Sequence, residues 1–98
     1  MTIDTLAKNI EQWAADKGID KADPRAQFLK VVEEVGEVAA ALARNDQHEL
    51  KDGIGDVFVT IVILAMQNGL TIEDCIQQSW NEISKRTGKT INGVFIKD

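Results

Sequence analysis

The sequence has little of what cross-links or interrupts a chain. Cys75 is its one cysteine, so no intrachain disulfide can form, and a reducing compartment is expected. Ile72 and Ile76 flank it at helical spacing and no activating partner is evident, so it reads as a core residue rather than a catalytic thiol. The single proline, Pro24, leaves long stretches free of the strongest helix breaker. His48 is the only histidine, which argues against a nitrogen- or sulfur-rich zinc site. It stands at a helix start and reads as a surface residue. No block of basic residues occurs and the net charge is −5, so no nucleic-acid partner is expected. Met1-Thr2-Ile3-Asp4 lacks the basic start and apolar run of a signal peptide. The longest apolar run, Val57 to Met66, is interrupted by Thr60 and is too short to span a bilayer. No membrane partner is expected, and a cytoplasmic location is.

What is present points to helices. Hydrophobic residues make up 44% and charged residues 28% of the chain, the balance of a globular domain. The expectation is one small all-α domain over residues 1–98, with a modest core of the kind often completed by oligomerisation. Ile3, Leu6, Ala7, Ile10, Trp13 and Ala14 mark one stripe of a helix from about Thr2 to Lys17, stopped by Gly18. Asp23 and Pro24 open a second helix that runs to about Arg44, with Phe28, Val31 or Val32, Val35, Ala39 and Leu42 as its apolar stripe. Gly36, in mid-helix, suggests close approach by a neighbouring helix or a ligand. Asp46 and Glu49 fit a capping box for a third helix to about Gln67, whose second half is apolar nearly all round and should be central. Thr71 caps a fourth helix carrying Ile72, Cys75, Ile76, Ser79, Trp80 and Ile83 on one face and ending before Gly88. Asn92-Gly93 between apolar residues signals a hairpin, which should pack on the bundle or on a second subunit. Short turns favour antiparallel neighbours and a four-helix, up-down bundle or a close variant.

Inside the second helix lies Lys30-Val31-Val32-Glu33-Glu34-Val35-Gly36-Glu37-Val38. At three- and four-residue spacing its three carboxylates reach one side and repel one another, and a divalent cation is the simplest compensation. On the third helix Glu49, Asp52 and Asp56 fall on one stripe. Asp56 directly precedes the apolar run, where an unpaired carboxylate is expensive. Counting along the two helices at about 1.5 Å per residue brings both acidic groups to similar levels if the helices are antiparallel. Oxygen donors alone favour Mg²⁺ or Mn²⁺.

Glu33-Glu34-x-x-Glu37, followed by a helix with an acidic pair ending Gly55-Asp56-Val57, resembles the MazG-like nucleotide pyrophosphohydrolases, all-α enzymes whose pattern is E-E-x-x-E, a spacer, then E-x-x-D. The resemblance runs from about Trp13 to Arg86. It implies a MazG-type four-helix bundle and Mg²⁺-dependent hydrolysis of a nucleoside or deoxynucleoside triphosphate between the α and β phosphates, releasing the monophosphate and pyrophosphate. It also implies a homodimer or homotetramer. Carried over by position, Glu34, Glu37, Asp52 and Asp56 would bind metal, with Glu37 and the water-orienting Glu33 as the catalytic carboxylates. Lys30, Asn81, Lys85 and Arg86 are the candidates for the phosphates, and Trp13, with Phe28 beside it, for stacking on the base. One position departs from the pattern: the glutamate of E-x-x-D falls on Gly53. Asp52 with Asp56 can stand in for it, Glu49 with Asp52 can serve as the pair with Asp56 added, or the chain is a weak or inactive module that binds a nucleotide or a protein.

Overall fold

Each helix begins where a short polar side chain caps it. The computed structural model describes residues 1–98. Helix α1 spans Ile3–Asp16 and a 3₁₀ turn spans Ile19–Lys21. Helix α2 spans Pro24–Arg44, α3 Gln47–Gln67 and α4 Ile72–Ile83. Thr2, Asp23, Asp46 and Thr71 each accept a backbone N–H of the first turn through a side-chain oxygen, at 3.1, 2.9, 3.0 and 3.1 Å. The glycines and asparagines after the helices do the stopping. Gly18 and Asn45 lie in the left-handed region at φ 72° and 55°.

The chain is mostly helical: four helices and a short C-terminal hairpin, the make-up of a MazG-type bundle. Its centre is the antiparallel pair α2–α3, the most extensive contact in the molecule. Two cross-links fix its register. Gln27 Nε2 donates to the Thr60 carbonyl at 3.0 Å. At the other level α3 approaches so closely at Gly53 that an added Cβ would sit 3.1 Å from Val38 Cγ2. The expected central role of α3 is borne out, since it touches α1, α2, α4 and the 3₁₀ turn. Thr60, Val62, Ile63 and Ala65 on α3 are buried, and Val62 packs with Ala7 and Ile72. Gln67 Nε2 secures the 3₁₀ turn by donating to the Ile19 carbonyl at 3.0 Å. No helix is long and apolar enough to cross a membrane by itself.

Three features differ from the sequence expectations. The α2 stripe expected in the core is largely on the outside: Phe28, Val32, Val35 and Leu42 are all about half exposed. The side facing α3 carries Gln27, Val31, Glu34, Val38 and Ala41, all less exposed than the outer stripe. Both sets follow four- and three-residue steps and differ by one position, about 100° around the helix, so periodicity alone does not choose between them. Gly36 has nothing within 4 Å of where a Cβ would lie, so no close approach inside the chain explains it. Helix α4 ends at Ile83 and leaves α3 at a bend of 102° instead of folding back antiparallel.

The hairpin forms as expected from Asn92-Gly93, both at positive φ, with β1 (Gly88–Ile91) paired antiparallel to β2 (Val94–Lys97). It does not pack on the bundle, however: every strand residue is exposed.

The two helical glycines should respond oppositely to substitution. Gly36→Ala is expected to stabilise the chain by about 1 kcal/mol through helix propensity. Gly53→Leu is expected to destabilise it by about 1–3 kcal/mol, because the seam at Val38 has no room. Urea unfolding of both variants checks the pair.

Candidate metal centre

Register brings the two acidic stripes together. Because α2 and α3 are antiparallel and close at Gly53, Glu34 faces the level of Asp56 in the seam between them. Glu34 Oε2 is buried and has no hydrogen-bond partner. Its pKa is raised above 4.5, first by burial and then by the negative charges of Glu37, Asp56 and Glu33, with Lys30 opposing weakly. Glu37, Asp52 and Asp56 line a hollow of about 340 Å³ with Glu49, Arg44, Ala40 and Gly53. Glu33 lies at the edge, where Lys30 Nζ pairs with it at 3.3 Å.

The donors suit a hard cation: all are carboxylate oxygens, and one is already removed from water without a partner. The side chains are splayed, and no three of them converge as a ready ligand set. Four carboxylates line the hollow and Arg44 is its only cation, so like charges there repel one another.

Asp52 and Asp56 also line a second, larger cleft on the other side of α3. Its volume is about 750 Å³, and its walls are Ile3, Leu6 and Ile10 of α1 and Ile54, Phe58 and Val59 of α3. Lys51 and His48 stand at its polar end. Two aspartates are therefore shared between an acidic hollow and an apolar cleft.

A family model described as the MazG nucleotide pyrophosphohydrolase domain matches residues 23–91. The chain belongs to the MazG family. An uncharacterized 18.2 kDa protein from the rep-hol intergenic region of Haemophilus phage HP1 is 50% identical over 64 residues, covering 64% of this chain. The chain spans 39% of that relative's length. No solved structure matches.

Within this MazG-family chain Glu33, Glu34, Glu37, Asp52 and Asp56 lie along the α2–α3 seam without any three converging on one point. The other candidates lie elsewhere. Trp13 lines neither the hollow nor the cleft. Asn81 accepts from Gln77 at 3.0 Å, and Arg86 lies 3.9 Å from Glu82, so both are engaged locally on or just beyond α4. Lys85 forms no ion pair within the chain. Gly53 is buried against Val38 and supplies no side chain at the position where the family carries a glutamate. Sequence reading missed Arg44 and Lys51. Arg44 lies seven residues, about two turns, after Glu37 and so on the same face, a signal that spacing could have given.

The raised Glu34 pKa fixes a sign. Between 4.5 and the raised value, the unfolded chain loses this proton while the folded chain keeps it. Stability without added metal should therefore fall as pH rises through that window and level off above it. Glu34→Gln should flatten this part of the profile and raise stability at neutral pH. Urea midpoints from pH 4 to pH 8 check both points.

Proposed function

We propose that the protein is a divalent-metal-dependent nucleoside triphosphate pyrophosphohydrolase that releases a nucleoside monophosphate and pyrophosphate. The observation carrying this reading is Glu34: a half-buried carboxylate with one oxygen, Oε2, shut off from water without a partner, set among Glu33, Glu37 and Asp56 across a helix seam. Such an arrangement costs stability and is compensated by a cation.

Glu34, Glu37, Asp52 and Asp56 would hold Mg²⁺ or Mn²⁺. The ion when bound supplies Lewis acidity toward a phosphate oxygen and lowers the pKa of coordinated water. The chain's own residues do the rest. Glu33, on the solvent side, can orient a water and take its proton, while its pair with Lys30 at 3.3 Å holds the carboxylate in place. Arg44 and Lys51 flank the aspartates and can neutralise phosphate oxygens. The apolar cleft adjoining Asp52 and Asp56 has room for a nucleoside, with Phe58 as its aromatic wall in the role first assigned to Trp13. Asp52 replaces the glutamate missing at Gly53.

Gly53 also favours a second reading. With one family ligand absent and its position filled by the seam, the chain would keep the fold and bind a nucleotide without turning it over.

The test is a panel of nucleoside and deoxynucleoside triphosphates with pyrophosphate detection, with and without Mg²⁺. Metal-dependent pyrophosphate release is expected, and Glu37→Gln is expected to lower it by a factor of roughly 100 or more. Activity retained in Glu37→Gln would sink the assigned site. Thermal stabilisation by Mg²⁺ with no product from any nucleotide would favour the second reading.

A further inference from the structure

The acidic hollow is longer than a metal ion needs. Residue order along the antiparallel pair sets its ends. Glu37 and Asp56 stand at one end, Ala40 and Asp52 in the middle, and Arg44 and Glu49 at the other. Seven residues separate Glu37 from Arg44, a rise of about 10 Å along α2. Ala40 is the one hydrophobic residue of the hollow, and the close approach at Gly53 puts no side chain into its middle. The result is a polar trough suited to something extended and anionic.

Arg44 is the one cation of that trough, and it is free. Its guanidinium forms no ion pair, although Glu37 and Glu49 line the same space. An arginine kept only to offset neighbouring carboxylates would lie against one of them. The other cations near the seam differ. Lys30 is paired with Glu33 at 3.3 Å. Lys51 lines the apolar cleft on the other side of α3 and not the trough. A free guanidinium at the end of a polar trough suits a phosphate, which it can hold through two parallel N–H donors.

The shared aspartates give the direction. Asp52 and Asp56 border both spaces. The cleft, with its six apolar side chains, suits a nucleoside, and the trough suits phosphates. A nucleotide straddling α3 at the aspartates sends its phosphate chain along the trough toward Arg44. Cleavage between the α and β phosphates leaves the departing group there: pyrophosphate from a triphosphate, orthophosphate from a diphosphate. A triphosphate reaches one phosphate farther, and the cation lies at the far end.

We propose that Arg44 takes the terminal phosphate of a bound triphosphate, so that the trough measures the phosphate chain and selects tri- over diphosphates. Lys51, on the nucleoside side, serves both alike. This deepens the proposed function and rests on the seam being a nucleotide site. It does not require turnover, and it holds equally for a chain that binds without hydrolysing.

Calorimetric titration in Mg²⁺ with the α,β-methylene analogues of dATP, dADP, dTTP and dTDP, which resist cleavage at that link, reads chain length without activity. The protein should bind each triphosphate analogue about tenfold tighter than its diphosphate, or more. Arg44→Gln should shrink that ratio to about threefold or less, and Arg44→Lys should keep part of it. Lys51→Gln should weaken both analogues by the same factor and preserve the ratio. Circular dichroism should match across the variants, since both side chains are exposed. A ratio unchanged in Arg44→Gln would overturn the proposal, as would binding of none of the four analogues. Mg²⁺-dependent pyrophosphate release combined with an unchanged ratio sinks the role of Arg44 and leaves the proposed function standing. A ratio that depends on Arg44, with no nucleotide hydrolysed, does the reverse.

Discussion

The arrangement of the acidic seam depends on how closely α3 can lie against α2. Gly53 permits the approach, since any side chain there would meet Val38. With that contact and the Gln27–Thr60 bond in place, the register of a long antiparallel pair is fixed at two levels. Between them the seam closes over Glu34. A looser pair would leave that carboxylate in water, where its neighbours' charges would be screened and it would hold no advantage for a cation. The glycine that stands where the family carries a glutamate is therefore also what sets the spacing of Glu34, Glu37, Asp52 and Asp56.

Local features of the fold were legible because their causes are local. Caps at Asp23, Asp46 and Thr71, the stop at Gly18 and the Asn92-Gly93 turn each depend on a few adjacent residues, and each appears where its chemistry put it. The opposition of the acidic stripes could also be read, because counting residues along an antiparallel pair is arithmetic. What the sequence did not settle was which side of α2 faces inward. The two stripes are one residue apart, and the outer one is the more apolar. A rule that puts the greasier side inside chooses wrongly here, because a carboxylate belongs to the inner one. The 102° departure of α4 was likewise invisible, since a short turn limits distance but leaves direction open.

The polar groups divide in a similar way. Glu33, Glu34, Glu37, Asp52 and Asp56 announced themselves as a group through spacing. Arg44 and Lys51 are single cations near the ends of helices. Spacing from Glu37 could have marked Arg44, whereas only the folded pair shows that Lys51 stands beside the aspartates. Asn81, Lys85 and Arg86 are the converse. The family likeness nominated Asn81 and positive charge nominated Lys85 and Arg86, and all three lie away from the seam.

The one-residue offset between the two faces of α2 has a consequence for how this helix can vary. Deleting a single residue upstream within α2 would turn everything beyond it by about 100°. The outer valines would then meet α3 and the buried glutamate would face outward, with scarcely any change in helix length or composition. Substitutions on this helix are graded, but a frame change is all or nothing. Among relatives, length differences should therefore collect in the loops before Asp23 and after Arg44, and α2 itself should keep its count.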